Sequence, residues 1–161
     1  MKPRVLLVDD DWSIREALSK LLRAEQYEVI LAADGKEAVD LFRDDPAHFD
    51  LVLADLNMPL RNGWASVDRL LELNSLLPIV ILTGMSHQRE LAEAAKVSAL
   101  VEKPIDVPAF LNLLRELVAD IEACEFEDVR RRGHRFHYIP PNHDRGSQMP
   151  LDPYSHWGLN E

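Results

Sequence analysis

Cys124 is the chain's single cysteine among 161 residues. One thiol cannot close an internal disulfide or supply a paired-thiolate metal site or redox motif, so a reducing compartment is expected. Long apolar runs are missing as well: none approaches the roughly eighteen residues that a membrane helix needs. At the amino end, Met1-Lys2-Pro3-Arg4 leads into only four apolar residues before three aspartates, too few for a secretory h-region. Positive charge is scarce, with 18 Lys and Arg against 28 Asp and Glu and a formal net charge of -10. Such a surface is repelled by phosphate, which argues against general affinity for nucleic acid or anionic membrane. The expectation is a cytoplasmic protein. What is present, 47% hydrophobic residues, suffices for one globular domain with a sizeable core and a small appendage, not for two full domains.

Short apolar runs alternate with stretches of helical period, the signature of repeated β-α units around a parallel sheet. The runs are Arg4 to Val8, Tyr27 to Ala32, Asp50 to Ala54, Pro78 to Leu82 and Ser98 to Val101, which predicts five strands. They are near-continuous Val, Leu and Ile, so helices should cover both faces. Ile14, Leu18, Leu21 and Leu22 form the first helical stripe, with Asp11 or Ser13 as candidate caps. Asp34-Gly35 opens a second helix, Gly63 precedes a third, Ser86 is a candidate cap for a fourth ending near Lys96, and Asp106 for a fifth with a stripe at Phe110, Leu114, Leu117 and Ile121. Beyond Ile121 the composition changes. Residues 129–146 hold five arginines and one aspartate, and no strand or helix period is sustained, so residues 122–161 read as an irregular tail, mobile or docked locally.

In an open α/β sheet, ligands bind outside the carboxyl ends of the strands. There the first run ends in Asp9-Asp10-Asp11, the third in Asp55, the fourth in Thr83-Gly84 and the fifth in Glu102-Lys103-Pro104. Converging carboxylates repel one another, and a divalent cation removes that penalty. Magnesium takes hard oxygen ligands and keeps open positions, so Asp9, Asp10 and Asp55 make a candidate site for it. A carboxylate there is a candidate nucleophile toward phosphorus. The spread negative charge of the phosphoryl group would be met by magnesium, by Lys103, and by Thr83 with a nearby backbone N–H, while Gly84 permits close approach. Taken singly each residue has a plainer reading: Asp55 as a turn aspartate, the acidic triplet as a helix amino terminus, Lys103 as a solvated lysine, Thr83 as a strand residue. Their placement at four strand ends favours the shared site.

The ordered set Val5-Leu6-Leu7-Val8-Asp9-Asp10-Asp11, Asp55-Leu56-Asn57-Met58-Pro59 with Gly63, Ile81-Leu82-Thr83-Gly84 and Glu102-Lys103-Pro104 resembles the receiver domain of two-component response regulators. The resemblance covers residues 1–121. It implies a flavodoxin-like sheet of order 2-1-3-4-5, with Asp55 as phosphoacceptor, Asp10 as direct metal ligand, Asp9 as acidic neighbour acting through water, and Asn57 as ligand through its backbone carbonyl. Thr83 would be the switch hydroxyl, Lys103 the phosphate-binding cation, and the bond before Pro104 cis. It further implies a histidine kinase or phosphotransfer protein as phosphoryl donor, Mg2+ as cofactor, and a downstream protein as output partner, whose identity the sequence leaves open along with homodimer formation. The chain would then be a phosphoacceptor that catalyses its own phosphorylation and dephosphorylation, not an enzyme with a diffusible substrate.

Two positions depart from the family pattern. Many receivers carry Tyr or Phe three residues before the lysine; here that switch position is Leu100. Lys96-Val97-Ser98 replaces a common Gly-containing turn, so the fourth helix should end differently. Leu100 and the tail motivate an alternative: a receiver-like protein-interaction module that works without phosphorylation. A magnesium-dependent phosphohydrolase is a third reading, but its usual second aspartate, two residues after the nucleophile, is replaced by Asn57. His134, His137 and His143 show no metal-ligand spacing, and Arg130-Arg131-Arg132 comes with no nucleic-acid reading module, so solvated or packed side chains are expected. Tyr154 and Trp157 are candidate anchors for the tail.

Overall fold

The computed structural model describes residues 1–56, 62–85, 88–123 and 135–142, with the side chains of 62 and 63 excepted. In chain order the elements are β1 Arg4–Val8, α1 Trp12–Ala24, β2 Glu28–Ala32, α2 Gly35–Asp44, a 3-10 turn Pro46–His48, β3 Leu51–Asp55, α3 Asn62–Leu73, β4 Ile79–Thr83, α4 Arg89–Ala94, β5 Ala99–Glu102, α5 Val107–Ala123 and β6 His137–Ile139. All strands pair in parallel, in the order β2-β1-β3-β4-β5-β6. The doubly wound α/β fold is therefore as the sequence predicts, with one strand more. That sixth strand lies in the stretch expected to be irregular. Its pattern is only three residues long, and its pairing partner β5 is some 38 positions away, beyond what local periodicity reports.

The strands form because their β-branched and leucine side chains alternate between two buried faces. Val5 and Leu7 of β1 point into one cluster with Leu18 and Leu22 of α1 and Phe110, Leu114 and Leu117 of α5. Leu6 and Val8 point into the other, with Phe42 of α2, Val67 and Leu70 of α3 and Ala92 of α4. Each α5 stripe residue is buried except Ile121, near the helix's carboxyl end, which is 38% exposed.

Local chemistry starts and stops the helices. Asp11 caps α1 by accepting from the N–H groups of Ser13 and Ile14, and Asp34 caps α2 by accepting from Glu37 N–H while the Glu37 carboxylate accepts from Ala33 N–H. Asp106 caps α5 through Ala109 N–H. Helix α3 starts at Asn62 and so includes Gly63. Helix α4 begins at Arg89 and ends at Ala94; the proposed cap Ser86 lies outside the described residues. The ends of α1 and α4 are alike: Tyr27 N–H reaches back to Leu22 O and Gln26 N–H to Arg23 O, and Val97 N–H reaches Ala92 O and Lys96 N–H Glu93 O. This double bond pattern needs a left-handed residue after the cap. Gln26 (φ 70) and Lys96 (φ 60) take that role without being glycine. The glycine-free segment Lys96-Val97-Ser98 thus follows the fourth helix with this same bond pattern, Lys96 standing in the left-handed position.

Candidate functional site

Parallel pairing puts the carboxyl ends of β1, β3, β4 and β5 side by side, which brings Asp9, Asp55, Thr83 and Lys103 together. Asp55 is the last residue of β3 and is 2% exposed. Lys103 follows β5 immediately, and its Nζ donates to Asp55 Oδ2 at 2.8 Å with only 7% of its side chain accessible. The plain reading of this lysine as a solvated surface residue does not hold. Its backbone N–H donates to the Thr83 carbonyl at 2.8 Å, and its peptide bond to Pro104 is cis, as the resemblance implies.

Asp9 is fully buried beside Asp55. Its Oδ1 accepts from Asp11 N–H at 2.8 Å, while Oδ2 is enclosed without a hydrogen-bond donor. Its backbone is fixed too, by N–H donation to Ala32 O and by the Arg15 guanidinium on its carbonyl. The carboxyl is pushed up to about 8, first by burial and then by the neighbouring Asp55 carboxylate, against the opposing pull of Asp11 N–H and the Lys103 charge. An enclosed, donorless carboxylate oxygen next to a second carboxylate is what a hard divalent cation relieves, so this pair fits magnesium. Asp10 is exposed. Among the described residues no three acidic or imidazole side chains converge on one metal position, so the carboxylate pair is the core of the candidate set. Two carboxylates with water is an ordinary complement for magnesium. Asn57 lies outside the described residues.

Thr83 is fully buried, and its hydroxyl accepts from Met85 N–H at 3.0 Å across the exposed Gly84. Sequence reasoning missed the ring around the last strand. Glu102 is buried, accepts from the Tyr138 hydroxyl at 3.1 Å, and pairs in register with Thr83. The Tyr138 ring lies 4.4 Å beneath the Arg89 guanidinium of α4. Leu100, at the position where the resemblance implies an aromatic switch residue, is fully buried, and Tyr138 is its partner in the β5–β6 register. The alternation of Phe136 and Tyr138 was the available signal, one repeat too short to stand on its own.

The sequence model of the response regulator receiver domain matches residues 5–115. The chain belongs to the response regulator receiver family. It is 34% identical over 125 residues to the transcriptional regulatory protein ZraR of Escherichia coli, an alignment covering 76% of this chain and 28% of that protein. It is 33% identical over 146 residues to CpxR, a transcriptional regulatory protein of the same organism, covering 89% and 56%. The autoinducer 1 sensor kinase/phosphatase LuxN of Vibrio harveyi is 33% identical over 132 residues, covering 78% and 15%. The chain thus spans about half or less of the length of these relatives. Among solved structures, the chemotaxis protein CheY4 of Vibrio cholerae superposes with a TM-score of 0.65 at 30% identity, over 73% of this chain and 99% of that one. The response regulator TrrA of Thermotoga maritima, crystallised with magnesium and beryllium fluoride, gives 0.65 at 32% identity, over 73% and 99%. Among the described residues no helix is long and apolar enough to cross a membrane.

Proposed function

We propose that this receiver accepts a phosphoryl group on Asp55 from a histidine kinase or phosphotransfer protein, in the cytoplasm, and that the modification changes its affinity for a partner protein. One observation carries the reading: a buried strand-end carboxylate held at 2.8 Å by a buried lysine, beside a second carboxylate with an enclosed donorless oxygen. The receiver domain would span residues 1–121, with 122–161 as an appendage. Asp9, Asp10 and Asp55, with the Asn57 carbonyl, would hold magnesium, which supplies positive charge to the phosphoryl oxygens when bound. The crystallised complex of TrrA with magnesium and a fluoride of beryllium supports that assignment.

The Asp55 carboxylate oxygen attacks phosphorus. The new O–P bond gives an acyl phosphate as the P–N bond of a phosphohistidine, or the P–O bond of acetyl phosphate, breaks and its electron pair leaves with the departing group. Lys103 turns from the carboxylate to a phosphoryl oxygen, and the Thr83 hydroxyl donates to another. Water later attacks phosphorus and returns the carboxylate and inorganic phosphate. The added charge then biases an existing equilibrium between two surface states. The phosphorylation-independent alternative is not favoured, because it gives no reason for a buried lysine to be held against Asp55. Incubation with acetyl phosphate and magnesium should add the mass of one phosphoryl group to the intact chain and none to Asp55→Asn. No adduct on the wild type, or an equal adduct on the variant, refutes the assignment.

A further inference from the structure

The phosphoacceptor reading leaves the sixth strand without a role, yet β6 is fastened to the segment that carries Lys103. Tyr138 donates its hydroxyl to Glu102 Oε1 at 3.1 Å, one residue before the lysine. Asn142 N–H donates to the Pro104 carbonyl at 2.8 Å, one residue after it. A third anchor, His137 N–H to the Ser98 carbonyl at 3.0 Å, fixes the other end of β5. Phe136 and Tyr138 pack on the cluster that holds Leu100, Ile81 and Ala92, and the Tyr138 ring meets Arg89 of α4. Without β6, the edge of β5 would present unpaired backbone groups to solvent.

We infer that β6 is a positioning element for the lysine arm of the site: docking of Phe136–Asn142 and capture of an anionic phosphoryl group beside Asp55 strengthen one another. The physical ground is entropy. Lys103 must trade its bond to Asp55 for one to an added group, and a backbone already clamped on both sides loses less freedom in doing so. The clamp itself is slight, a three-residue strand of half-buried side chains, so its docking equilibrium is easily shifted. Linkage makes the effect reciprocal: whatever factor β6 adds to anion affinity, the bound anion adds to β6 docking. Tyr138 and Asn142 act through the Glu102-Lys103-Pro104 segment and do not touch the reacting atoms.

This inference rests on the proposed phosphoacceptor site, and the experiment separates the two. Magnesium and beryllium fluoride are added to the full chain. Binding is read by fluorine NMR, and amide exchange is followed for residues 135–142. In the wild type, exchange of that segment should slow at least about fivefold on binding. In Tyr138→Phe, which keeps the ring but loses the hydroxyl, fluoride affinity should fall by a similar factor, as it should in Asn142→Pro, which removes the backbone donor. A merely structural Tyr138 would lower the melting temperature and leave fluoride affinity alone. Bound fluoride with unchanged exchange, or with unchanged affinity in both variants, overturns the coupling and leaves the phosphoacceptor assignment standing. No fluoride binding to the wild type overturns both.

Discussion

Replacing Asp9 by asparagine should stabilise the metal-free protein near neutral pH while abolishing its response to magnesium. Asn keeps an oxygen to accept from Asp11 N–H and gains an amide that can donate to the Asp55 carboxylate, so at nearly constant volume it replaces an acid that must either be charged beside Asp55 or hold a proton at a cost. The magnitude follows from the Asp9 carboxyl, raised from 3.8 to about 8 by burial and by Asp55. An acid whose folded value is raised holds its proton in the folded chain after the unfolded chain has lost it. Stability is then lost as pH rises from about 4 to about 8. At 1.36 kcal/mol per unit, the cost at pH 7 has an upper limit of about 4 kcal/mol, reduced by whatever relaxation or water the site admits. A realistic gain for Asp9→Asn of about 1–3 kcal/mol corresponds to several degrees of melting temperature in a chain of this size. Thermal unfolding with chelator, run from pH 5 to pH 8, should show the two proteins diverging as pH rises. Added magnesium should then raise the wild-type midpoint by mass action and leave the variant unmoved. A variant that is less stable than the wild type at pH 8, by as much as at pH 5, would refute the like-charge account of the pair.

Two further outcomes test the scaffold. Lys96→Gly and Gln26→Gly should each stabilise by about 0.5–1 kcal/mol in urea unfolding, because relief of the left-handed backbone cost exceeds the added entropy of the unfolded glycine; loss of stability in both would mean the two helix ends are not strained as described. Phe110→Ala should cost about 3–5 kcal/mol, since the ring is fully enclosed between α5 and the sheet; a cost below 1 kcal/mol would show that the site collapses around the smaller side chain.

Much of this fold was legible because its signals are local. Arg4 to Val8 is a strand with the predicted bounds, and the other four predicted strands begin one residue later than read, since Tyr27, Asp50, Pro78 and Ser98 lie just outside the ladder. Asp11, Asp34 and Asp106 cap as their side chains suggest. The candidate site was legible for a different reason: in a parallel sheet every strand's carboxyl end faces the same way, so Asp9, Asp55, Thr83 and Lys103 could be grouped before any distance was known.

What the residues alone determined, then, is the alternation of strand and helix and the set of polar residues gathered at the strand ends, because both follow from period, polarity and the direction of the chain. Tertiary structure alone decided the rest. That Asp9 is the enclosed carboxyl, raised by burial, while its neighbour Asp10 faces solvent depends on which way each side chain leaves the end of β1. That Tyr138 reaches Glu102 depends on a contact 36 residues apart, and no local pattern encodes a pairing whose energy comes from a partner strand.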